Sequence, residues 1–207
     1  MERTERSLNV ARHPIQALRQ FLSQQQPRLT LEFSRYIHLG LGRTLSRETF
    51  HVEGSLIDDA WFANELDRLS QGQELALHST VTKKDRTYHL PMVDFAKVSS
   101  LKKLKTRIQT VRQTLPVDIA LYSSGRSLHG YFFCLLDDKS WHQYLGRLLL
   151  CNPALESQDQ LVDTRWVGHS LEHGFSALRW SCNSAIYQSA PRLVEVDAVV
   201  QAISTEP

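Results

Sequence analysis

Apolar residues along the chain fall at helical spacing in some stretches and alternate in others. Ile15, Leu18, Phe21 and Leu22 predict a helix over residues 14–26, with Pro14 in its first turn and Pro27 at its stop. Leu29, Leu31 and Phe33 alternate, which predicts a strand within residues 29–41, and Gly40 and Gly42 then mark a turn. A further strand is expected at 49–56, and Asp58 or Asp59 caps a helix carrying Trp61, Phe62, Leu66 and Leu69, closed by Gly72. Strands follow at 74–82 and 87–96, joined by the charged turn Lys83-Lys84-Asp85-Arg86. Ser99 or Ser100 opens a helix with Leu101, Leu104, Ile108, Val111 and Leu115 on one face, stopped by Pro116. Val117, Ile119 and Leu121 begin a hairpin that turns at Ser123–Ser127 and returns through Phe133. Trp141, Tyr144, Leu145, Leu148 and Leu149 predict a helix opened by Ser140 and ended by Asn152-Pro153. Residues 168–174 read as a glycine-containing loop, 175–181 and 192–196 as strands, 1–13 as a flexible tail and the C-terminus as a short helix.

Strands joined as hairpins, interleaved with helices, predict an α+β fold in one domain over residues 1–207. No apolar run of about 18 residues is present and the first residues are polar, so neither a membrane span nor a secretory leader is expected, and no membrane partner. Three widely spaced cysteines suit a reduced, cytoplasmic location, with Cys134 in the apolar run 132–136 reading as a core thiol. Net charge is only +2, yet Lys102, Lys103, Lys105, Arg107 and Arg112 lie between Val98 and Pro116 with no acid among them. This locally basic helix is the expected contact for an anionic partner.

The candidate chemistry gathers around the hairpin. Ser127 and His129 are two apart in a strand and so share a face, and Ser124 and Arg126 sit in the turn beside them. Hydroxyl, guanidinium and imidazole groups this close suit the phosphates of a nucleoside triphosphate. Asp94 stands among apolar neighbours at the end of a strand, where a carboxylate is unfavourable unless paired or metal-bound. Asp163 and Arg179 follow the hairpin; two carboxylates near it would hold Mg²⁺ or Mn²⁺, and Arg179 can meet phosphate bidentately. Tyr122 and Tyr131 either stack on a base or pack in the core. His169 and His173, with Cys182 downstream, have the spacing of a metal pair on a helix, but Gly168 and Gly174 flank them, so a loop that orders around DNA or nucleotide is the preferred reading.

This order of motifs resembles the archaeo-eukaryotic primase superfamily, which includes the primase-polymerases. Met92-Val93-Asp94-Phe95-Ala96 is similar to its first motif, a strand ending in acid-x-acid, but with one acid only. Ser124-Gly125-Arg126-Ser127-Leu128-His129 is similar to its Ser-x-His motif, and Leu161-Val162-Asp163 with Ala177-Leu178-Arg179 to its third. The resemblance spans about residues 75–195. It implies an N-terminal αβ module packed on an antiparallel sheet like an RNA-recognition motif. It also implies a DNA-directed nucleotidyltransferase of replication, repair or defence, in which a 3′-hydroxyl attacks the α-phosphorus of an NTP or dNTP. Asp94 and Asp163 would then be metal ligands and catalytic with His129. Ser124, Arg126, Ser127, His129 and Arg179 would hold the triphosphate, the basic helix would meet single-stranded template or primer-template, and a helicase or other replication or defence protein is a conceivable partner. Ala96 stands where the second acid belongs, and two-metal transfer needs carboxylates for ions about 3.5–4 Å apart. Asp85 or Glu172 is the candidate replacement acid for the catalytic reading; two alternatives are a catalytically impaired module that only binds nucleotide or nucleic acid, and an unrelated α+β interaction protein.

Overall fold

The computed structural model describes residues 10–26, 28–40, 43–97, 101–125, 127–153, 160–187 and 189–194, with only the backbone of 39–40, 43–45 and 101–106. Two antiparallel sheets organise them. The first takes its strands mostly from the N-terminal half: β1 (Thr30–Gly40), β2 (Arg43–Glu53), β3 (Gln73–Lys83) and β4 (Arg86–His89) run in the order β2-β1-β3-β4. A late strand, β8 (Ala177–Arg179), pairs with β3 beside β4. The second sheet has the order β5-β7-β6-β9, from β5 (Met92–Asp94), β6 (Ile119–Ser123), β7 (Leu128–Phe132) and β9 (Arg192–Leu193). The predicted strand 87–96 is therefore two strands, broken at Leu90-Pro91 and shared between the sheets.

Helices cover the outer faces. Helix α1 (Pro14–Ser23) and α2 (Asp59–Asp67) bury Ile15, Leu18 and Phe62 in a core with Leu31 and Phe33 of β1 and Leu75 and Leu77 of β3. Asp58 caps α2 as expected, accepting the Trp61 N–H at 2.7 Å. Within the predicted flexible tail, residues 10–12 form a 3-10 turn, and buried His13 caps α1 and meets the Trp180 carbonyl at 2.8 Å; residues 1–9 lie outside the described residues. Helix α3 (Leu101–Arg112) and α4 (Asp138–Leu150) pack on the second sheet in a separate core with Val93, Phe95, Leu121, Leu128 and Phe132. Helix α4 starts earlier than Ser140, because the Asp137 carboxylate accepts the Ser140 N–H at 2.8 Å. Strand β7 is buried throughout rather than alternating, since Tyr131 faces the first core while Leu128 and Phe132 face the second. Side chains of the neighbouring strands fill the space at Gly130, where a Cβ would lie 2.5 Å from Ile119 Cδ1 and 2.6 Å from Val93 Cγ1.

One more segment joins the second sheet. Val162 bridges Phe95, so residues 161–163 flank β5 on the edge away from β7. In chain order this is β-α-β-β-α-β, with the late segment beside the first strand. Residues 168–173, expected as part of a loop, belong to helix α5 (Thr164–His173). Asp163 caps its start, and Gly174, at φ 75°, ends it in the left-handed conformation that glycine adopts without strain. The cap expected at Ser99 or Ser100 and the helical C-terminal tail lie outside the described residues, and β9 is shorter than the strand expected at 192–196. No helix among the described residues is long and apolar enough to cross a membrane.

Candidate functional site

Backbone pairing lines up the acids and the histidine. In the β5–β7 ladder Asp94 is directly opposite His129, and Tyr122 of β6 is opposite His129 on its other side. The Asp163 N–H donates to the Asp94 carbonyl at 3.0 Å, and the Ala96 N–H to the Leu161 carbonyl at 3.1 Å, so Asp163 is opposite Asp94. Directly opposed residues in antiparallel strands share a face. The row Asp163–Asp94–His129 therefore presents two carboxylates and an imidazole to one side, away from α3 and α4. All three line a cleft of about 1000 Å³ between the two sheets.

The hairpin turn closes over the end of this row. The Ser124 N–H and Oγ both donate to the Ser127 carbonyl, at 2.9 and 3.0 Å, and Ser127 Oγ donates to the Phe95 carbonyl. Gly125 takes φ 90°, and a Cβ there would lie 2.6 Å from Ser189 Oγ. Arg179 reaches across from the first sheet, donating from Nη2 to the Ser124 carbonyl at 2.7 Å and from Nη1 to the carbonyls of Ser189, at 3.1 Å, and Ser181. Its guanidinium also lies 4.0 Å above the Tyr187 ring. These bonds use three of the five N–H groups of Arg179, so its structural part is to tie the hairpin turn to the loop after β8. Ser124, Ser127 and Arg179 all line the cleft, and Arg126 lies outside the described residues.

His129 differs from the other buried polar groups here. Its Nδ1 is buried with no hydrogen-bond partner among the described residues. Burial, and secondarily the Arg179 charge, push its pKa down to about 3, so the imidazole is neutral. A buried nitrogen without a partner is rare, and the residue that carries it lines the cleft. Asp163 serves two ends at once: its Oδ1 accepts the N–H groups of Arg165 at 2.9 Å and Trp166 at 3.2 Å, and the cap does not use Oδ2. Two carboxylates side by side with adjacent hydroxyls are a hard-oxygen donor set, which fits Mg²⁺ or Mn²⁺. Residue 96 is on the same strand face as Asp94, and Ala96 brings only a methyl group there.

Other expectations are corrected by burial. Tyr122 and Tyr131 are core residues, 2% and 0% exposed, with Tyr131 accepting from Trp180 Nε1 at 3.0 Å, so neither reaches a base. Arg107 is 1% exposed and donates to the carbonyls of Ala96 and Lys97, both at 3.2 Å, so it does not belong to an exposed basic face. Helix α3, which carries Lys102, Lys103, Lys105 and Arg112, covers the face of the second sheet opposite the cleft; the side chains of the three lysines lie outside the described residues, and Arg112 pairs with Asp118 at 3.3 Å. Of the replacement acids, Glu172 lines the cleft, whereas Asp85 sits at the exposed β3–β4 turn.

The first sheet adds residues that the apolar pattern passed over. Tyr36, His38 and Arg47 line the cleft opposite the carboxylate row. Behind them His78 donates from Nδ1 to Glu32 at 2.5 Å, while its Nε2 meets Ser34 Oγ at 2.8 Å and Arg47 Nη1 at 3.1 Å. Arginine only donates, so Nε2 accepts and His78 is neutral, in keeping with its burial-lowered pKa.

A family model for archaeo-eukaryotic primase 1D-like proteins matches residues 53–192, more than half of the chain. The chain belongs to this archaeo-eukaryotic primase-like family. No curated protein and no solved structure matches it. The match begins at Glu53, the last residue of β2, so β1 and the cleft residues on it are outside the matched segment.

Proposed function

We propose that this domain is a primase-like nucleotidyltransferase that takes a nucleoside triphosphate with Mg²⁺ or Mn²⁺ and acts on a DNA template. The observation that carries the reading is the row Asp163–Asp94–His129, aligned by backbone pairing on the wall of one cleft. Family membership supports it, and the β-α-β-β-α-β order of the second sheet agrees with a module like an RNA-recognition motif. Asp94 and Asp163 would hold the cation, which when bound offsets charge on the phosphates. The neutral His129 would give a hydrogen bond to a phosphate oxygen. Ser127 and Ser124 fix the hairpin that presents it. Arg179 acts mainly by positioning that hairpin.

Ala96 favours a second reading, in which the cleft binds triphosphate without transferring it. With only two carboxylates, the second ion of a two-metal reaction has no acid of its own on β5. One experiment separates the readings. Purified protein is incubated with Mn²⁺, labelled nucleotides and a single-stranded DNA template, and triphosphate binding is measured in parallel. Extended product that disappears in Asp94→Asn supports transfer. Metal-dependent binding without product, lost in His129→Leu, leaves the binding module. Absence of both product and triphosphate binding overturns both.

A further inference from the structure

Helix α5 carries a second group of ligating side chains into the cleft. His169, Glu172 and His173 are exposed, and one donor atom from each lies within 4.8 Å of the others. Their i, i+3, i+4 spacing puts them on one face of α5, and all three line the cleft. The helix that the flanking glycines argued against is what makes this spacing effective.

Neighbouring bonds orient the two rings. His173 Nδ1 donates to the His169 carbonyl at 2.8 Å, and His169 Nδ1 donates to Glu172 at 3.3 Å. The His173 bond leaves its Nε2 with the lone pair a metal needs, and an ion taking Glu172 replaces the 3.3 Å bond from His169 Nδ1, which frees that ring to ligate. The His173 ring also packs against Phe175 at 5.9 Å, which restricts its swing. Tetrahedral bonds of about 2.0–2.2 Å put ligand atoms roughly 3.4 Å apart, and exposed side chains close the remaining gap by small rotations.

We infer that His169, Glu172 and His173 form a site for a divalent transition metal of the Zn²⁺ class. Two imidazoles select against Mg²⁺ and Ca²⁺, which take oxygen ligands. The site is separate from Asp94 and Asp163. Glu172 is nine residues beyond Asp163, about 13 Å along the helix axis at 1.5 Å per residue, too far to share one ion. Three ligands from one helix leave the fourth position open toward the cleft, where water or an anionic oxygen of a bound ligand completes it. Cys182 takes no part, since its thiol donates to the Tyr187 carbonyl at 3.0 Å.

The test is titration of the metal-stripped full chain with Zn²⁺, and with Co²⁺ as a spectroscopic probe, at neutral pH. One ion per chain is expected, with the strong visible absorption of four-coordinate Co²⁺. The site is lost in His169→Ala and in His173→Ala, and is kept in Cys182→Ser and Asp94→Asn. His169→Gln and His173→Gln, which keep the length and helix preference, give the same loss with unchanged circular dichroism. Failure to bind Zn²⁺ at one equivalent, binding unchanged in the double glutamine variant, or loss of the site in Asp94→Asn would overturn the inference. None of these outcomes depends on triphosphate binding, so the site stands or falls apart from the proposed function.

Discussion

The two sheets face the same cleft with polar side chains, and they differ in whether those side chains are already paired. On the first sheet, Glu32, Ser34 and Arg47 converge on His78, and every polar atom of that imidazole has a partner. On the second, His129 is as deeply buried but its Nδ1 has none among the described residues. Both imidazoles are kept neutral, chiefly by burial. One is a structural bond network and the other is a ring on the cleft wall that takes no part in one. Equal burial and equal residue type thus lead to opposite expectations for the same substitution.

The largest expected effect breaks that comparison directly. His78→Leu keeps the volume but strands Glu32, Ser34 and Arg47 in a buried site, and should destabilise the fold by about 3 kcal/mol. At roughly 2–4 °C per kcal/mol for a chain of this size, thermal melting should show a drop of about 6–12 °C. His129→Leu removes a buried nitrogen that has no partner and should change stability by less than about 1 kcal/mol, while abolishing triphosphate binding. A large loss of stability in His129→Leu with binding intact would reverse the assignment.

Per pH unit, a smaller effect comes from titration. His13 and His129 are pushed down to about 3 and His89 to about 4, each mainly by burial. Between pH 6.5 and 4 the unfolded chain takes up protons on these residues and the folded chain does not, so stability falls as pH falls through that window and is flat above it. Each histidine contributes about 1.4 kcal/mol per pH unit to the slope. Denaturant titrations at several pH values should therefore show the slope reduced by about that amount in His129→Leu. An unchanged slope would mean that His129 is protonated alike in both states.

The members of the row are legible in the sequence one at a time, whereas their meeting depends on strand pairing between residues far apart in the chain. A period of two puts Ser127 and His129 on one face, and an acid in an apolar strand end marks Asp94. The α5 helix was not legible, because Asp163 already had a reading as a metal ligand and its cap role went unseen. Gly168 is exposed inside α5, where a glycine costs about 1 kcal/mol without breaking the helix, and Gly174 is the terminator rather than a loop residue. The alternation of Leu31 and Phe33 predicts the strand but says nothing of the polar residues between and beyond them, Glu32, Ser34 and His38. What they face comes from residues far along the chain, which no local pattern contains.

Asp163 offers a finer cut at the row. Asparagine is as good an N-cap as aspartate, so Asp163→Asn should keep α5 and lose metal-dependent triphosphate binding. Asp163→Ala should lose both, with about 1 kcal/mol of additional instability from the missing cap. Comparing the two by melting and by binding isolates the charge from the helix. Binding retained in Asp163→Asn would remove this carboxylate from the cation site.

The smallest expected effect concerns helix α3 on the far side of the second sheet. Arg107 stands three residues after Leu104 and four before Val111, which places it on the apolar stripe, and its guanidinium holds the carbonyls at Ala96 and Lys97 just beyond β5. Lys103 lacks that relation to the stripe. If α3 touches the template, Lys103→Ala should weaken single-stranded DNA binding a few-fold and reduce the salt dependence of log K by about 0.7, one phosphate contact. Triphosphate binding should be unchanged, because the cleft opens on the opposite face. Arg107→Ala should behave in the contrary way, lowering stability and disturbing the strand end that carries Asp94, with no signature of a lost phosphate contact in the salt slope. Equal salt-slope changes in both variants would put Arg107 back among the basic contacts and separate its buried position from its function.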